Sequence, residues 1–260
     1  MTITGDLSQF DTLVNIITRL RSPEGCPWDR EQTHSSLREY LVEECYEVLG
    51  ALDEGDSDDL CDELGDLMLQ LVLHAQIAAE DGEFSIGDVI TGLNNKLIRR
   101  HPHIFGSEKV MDADEVAQNW EALKQEERDA GTSVLAGVPR QMPALGYSQA
   151  IQRRVAKVGF DWEDVDGVIE KLVEEVAEFK GSTSRKEKEN EFGDMLFTLV
   201  NIARRLGIDS ESALREANRR FYDRFTFMED ICHKRGLTFA DLSFDQQNKL
   251  WEEAKKKAGA

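Results

Sequence analysis

Leu41-Val42-Glu43-Glu44-Cys45-Tyr46-Glu47 and Leu172-Val173-Glu174-Glu175-Val176-Ala177-Glu178 are one phrase, LVEExxE, written twice in a single chain. The match extends outward from both. Upstream, Gly25-Cys26-Pro27-Trp28-Asp29 is echoed by Gly159-Phe160-Asp161-Trp162-Glu163, a shared GxxW followed by an acid. Downstream, Glu63-Leu64-Gly65-Asp66 with Leu71-Val72 corresponds to Glu191-Phe192-Gly193-Asp194 with Leu199-Val200. Asn94, Lys96 and Arg100 then correspond to Asn218, Arg220 and Arg224, and Trp120-Glu121 with Lys124 to Trp251-Glu252 with Lys255. Landmarks recurring in one order imply a duplication rather than chance. The sequence therefore predicts two homologous domains, 1–130 and 147–260, joined by a linker over 131–146, where Gly and Pro cluster and helical periodicity lapses.

Within each copy the apolar spacing is helical. Leu41, Cys45, Val48 and Leu52 fall at i, i+4, i+7 and i+11, as do Leu60, Leu64, Leu67 and Leu71. The short break 53–59 carries Gly, Asp and Ser suited to ending one helix and capping the next, and 180–185 plays that part in the second copy. A short connection makes the two helices antiparallel neighbours. Further helical stretches over 86–100 and 210–224, preceded by 9–21 or 147–158, complete a small bundle in each half. The fold class expected is all-α, two helical bundles in tandem.

Composition agrees and excludes several functions. The 260 residues are 40% apolar, enough for real cores, with only 5 Pro and 19 Gly. With 31 Lys+Arg against 51 Asp+Glu the net charge is −20, which argues against a grip on polymeric nucleic acid or an anionic membrane, since both demand a basic footprint. Cys26, Cys45, Cys61 and Cys232 show no C-x-x-C spacing and are expected as free, buried thiols. The N-terminus lacks the basic and apolar regions of a signal peptide, and the most apolar stretch, 67–79, is too short to span a membrane. A soluble, cytoplasmic protein is expected.

The duplicated acids carry the chemistry. At 3.6 residues per turn, Glu44 lies roughly 60° and Glu47 roughly 120° from the centre of the stripe set by Leu41, Cys45 and Val48. Glu63 and Asp66, Glu175 and Glu178, and Glu191 and Asp194 take matching places, so every pair is expected at the edge of its core. Antiparallel pairing brings two such pairs toward one point, giving four carboxylates with no positive residue on the same turns. A lone ExxE is usually a solvated helix face. Acids repeated in type and phase, beside surface residues that differ, point instead to a metal that compensates their charge. All-oxygen ligation suits Mg²⁺, with Mn²⁺ as the alternative, rather than zinc. A di-iron bundle is the rival, but it requires ExxH on two helices, and only Glu31-x-x-His34 fits.

LVEExxE followed by ExGD and a downstream NxKxxxR resembles the MazG nucleoside triphosphate pyrophosphohydrolases. GCPWD, ELGDLMLQLVLHAQ, the RRHPHIFG run at 99–106 and VGFDWED at 158–164 extend the likeness to the two-domain bacterial type over nearly the whole chain. The resemblance implies an all-α homodimer that hydrolyses NTPs or dNTPs, ATP among them, to the monophosphate and pyrophosphate with Mg²⁺. It implies metal ligands at Glu175, Glu178, Glu191 and Asp194, with Glu44, Glu47, Glu63 and Asp66 in the first copy. Carboxylates can hold a triphosphate only through bridging cations, so the implied chemistry is coherent. Glu174 or Glu43, beside the ligands, is the candidate base for the attacking water. Arg220 and Arg224, with Lys96 and Arg100 in the first copy, resemble the family's phosphate contacts, and Trp251 its nucleotide-contacting tryptophan. Salt-bridged helix faces and core packing are the bland alternatives for these residues. Lys171 and Lys188 join the nucleotide-binding set.

The copies differ in the loop between their metal helices, which is Asp-rich in the first and holds Lys180, Arg185, Lys186 and Lys188 in the second. That difference favours the second copy as the working one, although the first keeps all its acids. A narrower dCTP, dUTP or phosphoribosyl-ATP hydrolase and a non-catalytic helical interaction module remain as competing readings.

Overall fold

The computed structural model describes residues 5–107 and 131–258, together with 112, 115, 116, 119 and 120. The expected landmark at Glu121 and Lys124 lies outside the described residues. Among those described there is no strand, and the chain is all-α. It divides into two compact units, Met1–Arg128 and Asp129–Ala260.

In the first unit, α1 (Phe10–Arg21) and the short α2 (Pro27–Glu31) precede α3 (Arg38–Glu54) and α4 (Ser57–Glu80), followed by α5 (Ile86–Arg100) and α6 (Pro102–Phe105). The second unit runs α7 (Ala144–Ala156), α8 (Val165–Gly181), α9 (Arg185–Arg205), α10 (Ser210–Lys234), a 3₁₀ turn (Phe239–Asp241) and α11 (Phe244–Ala258). Thus α7 begins inside the stretch expected as linker, and α10 continues ten residues past the expected 210–224.

Side-chain caps fix where the long helices start. The Asp56 carboxylate accepts from the backbone N–H groups of Asp58 and Asp59 at the head of α4. Ser85 with Asp88 and Ser184 with Glu187 form reciprocal capping boxes on α5 and α9. Helix α3 packs along α4, and α8 along α9, as the principal pair of each unit. Ile17, Leu37, Val72, Leu73 and Ile77 form the core of the first unit. A core cluster of the second is Met228, Ile231, Cys232, Leu250 and Ala254, with Trp251 packed against it.

The buried stripes are rotated from the expected ones. On α3 the inward residues are Leu41, Glu44, Val48 and Ala51, while Cys45 and Leu52 are exposed. On α4, Leu60, Glu63, Leu67 and Gln70 face inward and Leu64 and Leu71 outward; on α9, Phe192 and Leu199 are likewise exposed. Reading all apolar positions as one stripe merged two faces, only one of which packs within its unit. The acids accordingly do not all sit at a core edge: Glu175 is 5% exposed, and Glu44, Glu63 and Glu191 are half-buried. The four cysteines are free, as expected, but only Cys232 is buried; Cys45 and Cys61 are exposed for the same rotational reason.

The GxxW loop is anchored differently in each unit. In the first, the Arg21 guanidinium, 6% exposed, pairs with Glu80 at 2.7 Å and donates to the carbonyls of Asp29 and Gln32, tying α1, α4 and the loop together. In the second, Arg204 and Arg205 of α9 pair with Asp161, and Arg205 donates to the carbonyls of Trp162 at 2.7 Å and Glu163 at 2.8 Å. The glycine of the motif is required for a different reason each time. A Cβ on Gly25 would overlap the carbonyl oxygens of Leu20 and Arg19, whereas Gly159 has open space but a left-handed φ of +85°.

Candidate metal centre

Each principal helix pair brings acids together as the i, i+3 spacing requires. In the first unit one carboxylate oxygen from each of Glu44, Glu63 and Asp66 lies within 4.8 Å of the others; in the second, Glu175, Glu178 and Glu191 do the same. The fourth acid of each set stands just outside its trio but within its field. Burial and then the Asp66 and Glu47 carboxylates raise the pKa of Glu44. Burial and then Glu178, Glu175 and Asp194 do so for Glu191. Glu63 is raised as well, by desolvation and then by Glu47 and Asp66. Clustered carboxylates that hold protons above their ordinary range are groups in want of a cation.

The donor set fits a hard divalent ion. Mg²⁺–oxygen distances of about 2.1 Å place two ligands of one ion no more than about 4.2 Å apart. Oxygens within 4.8 Å reach that with a small side-chain adjustment. No His or Cys belongs to either trio, so zinc and di-iron ligation have no support among the described residues.

The expectation that these turns carry no positive charge fails in the second unit. Lys171 Nζ lies 2.8 Å from Glu175 and 2.9 Å from Glu174, and both carboxylates drive its pKa up. The i, i+4 and i, i+3 spacings were the available signal. Lys171 is thus the resident counter-ion of the second cluster, and Glu174, the candidate base, shares it; its counterpart in the first copy is Tyr40. Sequence reasoning also missed Gln70, whose amide N–H₂ points at Glu44 at 3.5 Å while its own oxygen is buried without a partner.

Arg224 lies over the Trp251 ring at 5.6 Å, and Arg100 over Trp120 at 5.8 Å, so one arginine–tryptophan pair recurs in both units. Arg224 Nε is buried without a partner, and Arg220 lies 3.8 Å from Glu216 on an exposed face. Lys188 in the first turn of α9 and Lys96 on α5 are exposed. Arg224 lines a cleft of about 340 Å³ with Phe227 and Lys257.

Comparison with known proteins agrees with the geometry. Residues 32–105 match the model of the MazG nucleotide pyrophosphohydrolase domain. The chain is 48% identical to a nucleoside triphosphate pyrophosphohydrolase/pyrophosphatase MazG of Thermotoga maritima, over 95% of each chain. It is 42% identical to a nucleoside triphosphate pyrophosphohydrolase of Escherichia coli K12, over 96% of this chain and 98% of that one. A crystal structure of a mazG-related protein from Thermotoga maritima is 30% identical and covers 44% of this chain and 98% of that one, with a TM-score of 0.39. With paired acid clusters on paired helices and near full-length relatives at this identity, the chain belongs to the MazG nucleoside triphosphate pyrophosphohydrolase family.

Proposed function

We propose that the protein is a Mg²⁺-dependent hydrolase of nucleoside triphosphates, with Mn²⁺ as an alternative ion, cleaving NTPs and dNTPs to the monophosphate and pyrophosphate. The observation that carries this is the recurrence of a carboxylate trio on the paired helices of both units, Glu44 and Glu63 in one corresponding to Glu175 and Glu191 in the other. The second unit, 147–260 with its preceding connection, is the principal site, because Lys171, Lys188, Arg220 and Arg224 offer cations there that the first unit matches only in part, with Lys96 and Arg100.

Mg²⁺ held there would supply the positive charge that offsets the carboxylates and the triphosphate and would polarise the α-phosphoryl group. Glu175, Glu178 and Glu191 hold it, with Asp194 beside them. Glu174 accepts the proton of the attacking water, and Lys171, which pairs with Glu174 and Glu175, would be available to the phosphates once a cation offset those carboxylates. Arg220, Arg224 and Lys188 contact the leaving pyrophosphate, and Trp251 the nucleoside. The first unit's Glu44, Glu47, Glu63 and Asp66 form a second, subsidiary ion site.

A homodimer is part of this reading. Ile169, Val173, Phe192, Leu196 and Leu199 leave an apolar face of α8 and α9 exposed, and a second copy covers it. Ile169→Lys with Leu196→Lys is expected to give a monomer by light scattering. Among the described residues no helix is long and apolar enough to cross a membrane. We place the enzyme in the cytoplasm, where nucleoside triphosphates are made and used, acting on the small molecule and not on nucleic-acid polymers.

The test is pyrophosphate release from each of the eight common nucleotides with and without Mg²⁺. Release from several supports the broad enzyme, release from one alone a narrow relative, and release from none a helical interaction module. Glu178→Ala and Asp194→Ala should each abolish most turnover with helicity intact by circular dichroism; full activity in both would refute the assignment.

A further inference from the structure

The second unit holds a cavity of about 220 Å³ away from the acid cluster, walled by Leu135, Ile151, Val155, Phe160, Trp162 and Phe197. Its floor carries the side chain of Gln152, a residue only 3% exposed. Gln152 Nε2 donates to the Phe197 carbonyl at 2.8 Å, which fixes the amide's orientation, and its Oε1 is then buried with no partner. The same helix shows that such a group can be satisfied. One turn earlier, Gln149 Nε2 donates to the Ile208 carbonyl at 2.8 Å, and its Oε1 accepts from both Ser210 N and Ser210 Oγ. In the first unit, Thr18 and Gln76 occupy the positions corresponding to Gln152 and Arg204, and they bond to one another at 2.8 Å. An unpaired buried acceptor is costly to a fold. In the second unit Gln152 Oε1 is left so, and Gln152 lines the cavity.

The other polar groups at the wall are already engaged. Arg204 is held by Asp161 and by Asn201 at 2.7 Å, and Arg205 by Asp161 and the loop carbonyls. Among the described residues no free cation lines the cavity, so a phosphate has no partner there. An apolar cavity of about 150 Å³ admits benzene, and this one is larger by about a fused second ring. Phe197 stands about one turn from Asp194 on α9 and Asn201 and Arg204 two to three turns, and none of the clustered acids lines the cavity. From these observations we infer that the cavity binds a neutral, bicyclic heteroaromatic ring that stacks on Phe160 and Trp162 and donates one N–H to Gln152 Oε1. It is a ligand site separate from the one that holds the triphosphate.

Two probes that differ only in the donor test this on the full-length protein. Indole and 1-methylindole are titrated by saturation-transfer NMR. Indole is expected to bind saturably, and 1-methylindole, although more apolar, about fivefold or more weakly, the worth of one neutral hydrogen bond. Gln152→Leu should bring indole down to the level of 1-methylindole. Phe160 is 77% exposed, so Phe160→Ala leaves the fold intact and should weaken both probes. Saturable binding with that order supports the site. No saturable binding of either probe, equal affinity for the two, or unchanged binding in Phe160→Ala would overturn it.

Discussion

Replacing Glu175 by Gln separates the ion-binding role of the cluster from its structural one. Glu175 is buried and contributes an oxygen to the second trio, so the substitution keeps shape and removes the least solvated charge. Where Mg²⁺ is present at about 100 times its dissociation constant, binding to the folded state alone adds about 2.7 kcal/mol. A unit of roughly 130 residues gains about 3–4 °C in Tm per kcal/mol, so addition of Mg²⁺ to the wild type should raise Tm by about 8–11 °C. If losing the buried charge weakens the ion about a hundredfold, the same Mg²⁺ concentration adds only about 0.4 kcal/mol, a shift of about 1–2 °C. Scanning calorimetry in EDTA and in excess MgCl₂ measures both. Glu175→Gln removes one of the two carboxylates that pair with Lys171 and leaves Glu174, so the EDTA scan measures the cost of that change without the ion. Glu44→Gln should remove only the response of the first unit. A full Mg²⁺-dependent shift retained in Glu175→Gln would refute the assignment of the buried glutamate as a ligand.

Arg21→Met should destabilise the first unit by about 2–4 kcal/mol in urea unfolding, because it removes a buried guanidinium from Glu80 and from two loop carbonyls. Gly25→Ala should be destabilising in the same assay, and Gly159→Ala less so, because the first meets backbone and the second only a strained φ. Acid unfolding should reflect two anchors. The Arg21 side chain holds Glu80 below its ordinary 4.5, and Arg204 outweighs burial to hold Asp161 below 3.8. The stability they contribute is fully present above those values and is lost as pH falls through the lowered ones. Chemical-denaturant midpoints between pH 6 and 3 should therefore decline less steeply in Glu80→Gln and Asp161→Asn than in the wild type.

Repeats, helices and acid phase were legible in the sequence because each is a local property. LVEExxE and ExGD state their own periodicity, and caps such as Asp56 and Ser184 stand where the apolar pattern breaks. The buried face was less so. Leu52, Leu64, Leu71, Phe192 and Leu199 are as apolar as the residues that pack, and hydropathy alone cannot say which of two apolar faces a unit fills by itself. Lys171, expected as a nucleotide contact, stands one turn from Glu175, and its pairing with the acids was legible only in that i, i+4 spacing of opposite charges. Neither the Gln152 acceptor nor the cavity beside it has a sequence signature, since both depend on three segments meeting.

The loop anchors show how far the two halves have diverged in wiring. Arg21, Pro27, Gln76, Ile77 and Glu80 in one correspond to Val155, Asp161, Arg204, Arg205 and Ile208 in the other, so every donor and acceptor of the clasp has changed places together. Transplanting 25–29 into the second half would strand two arginines with no carboxylate, and the reciprocal graft would bring an aspartate to a site without them. The halves are therefore no longer interchangeable parts, and any chimera between them must carry its arginine along with its loop.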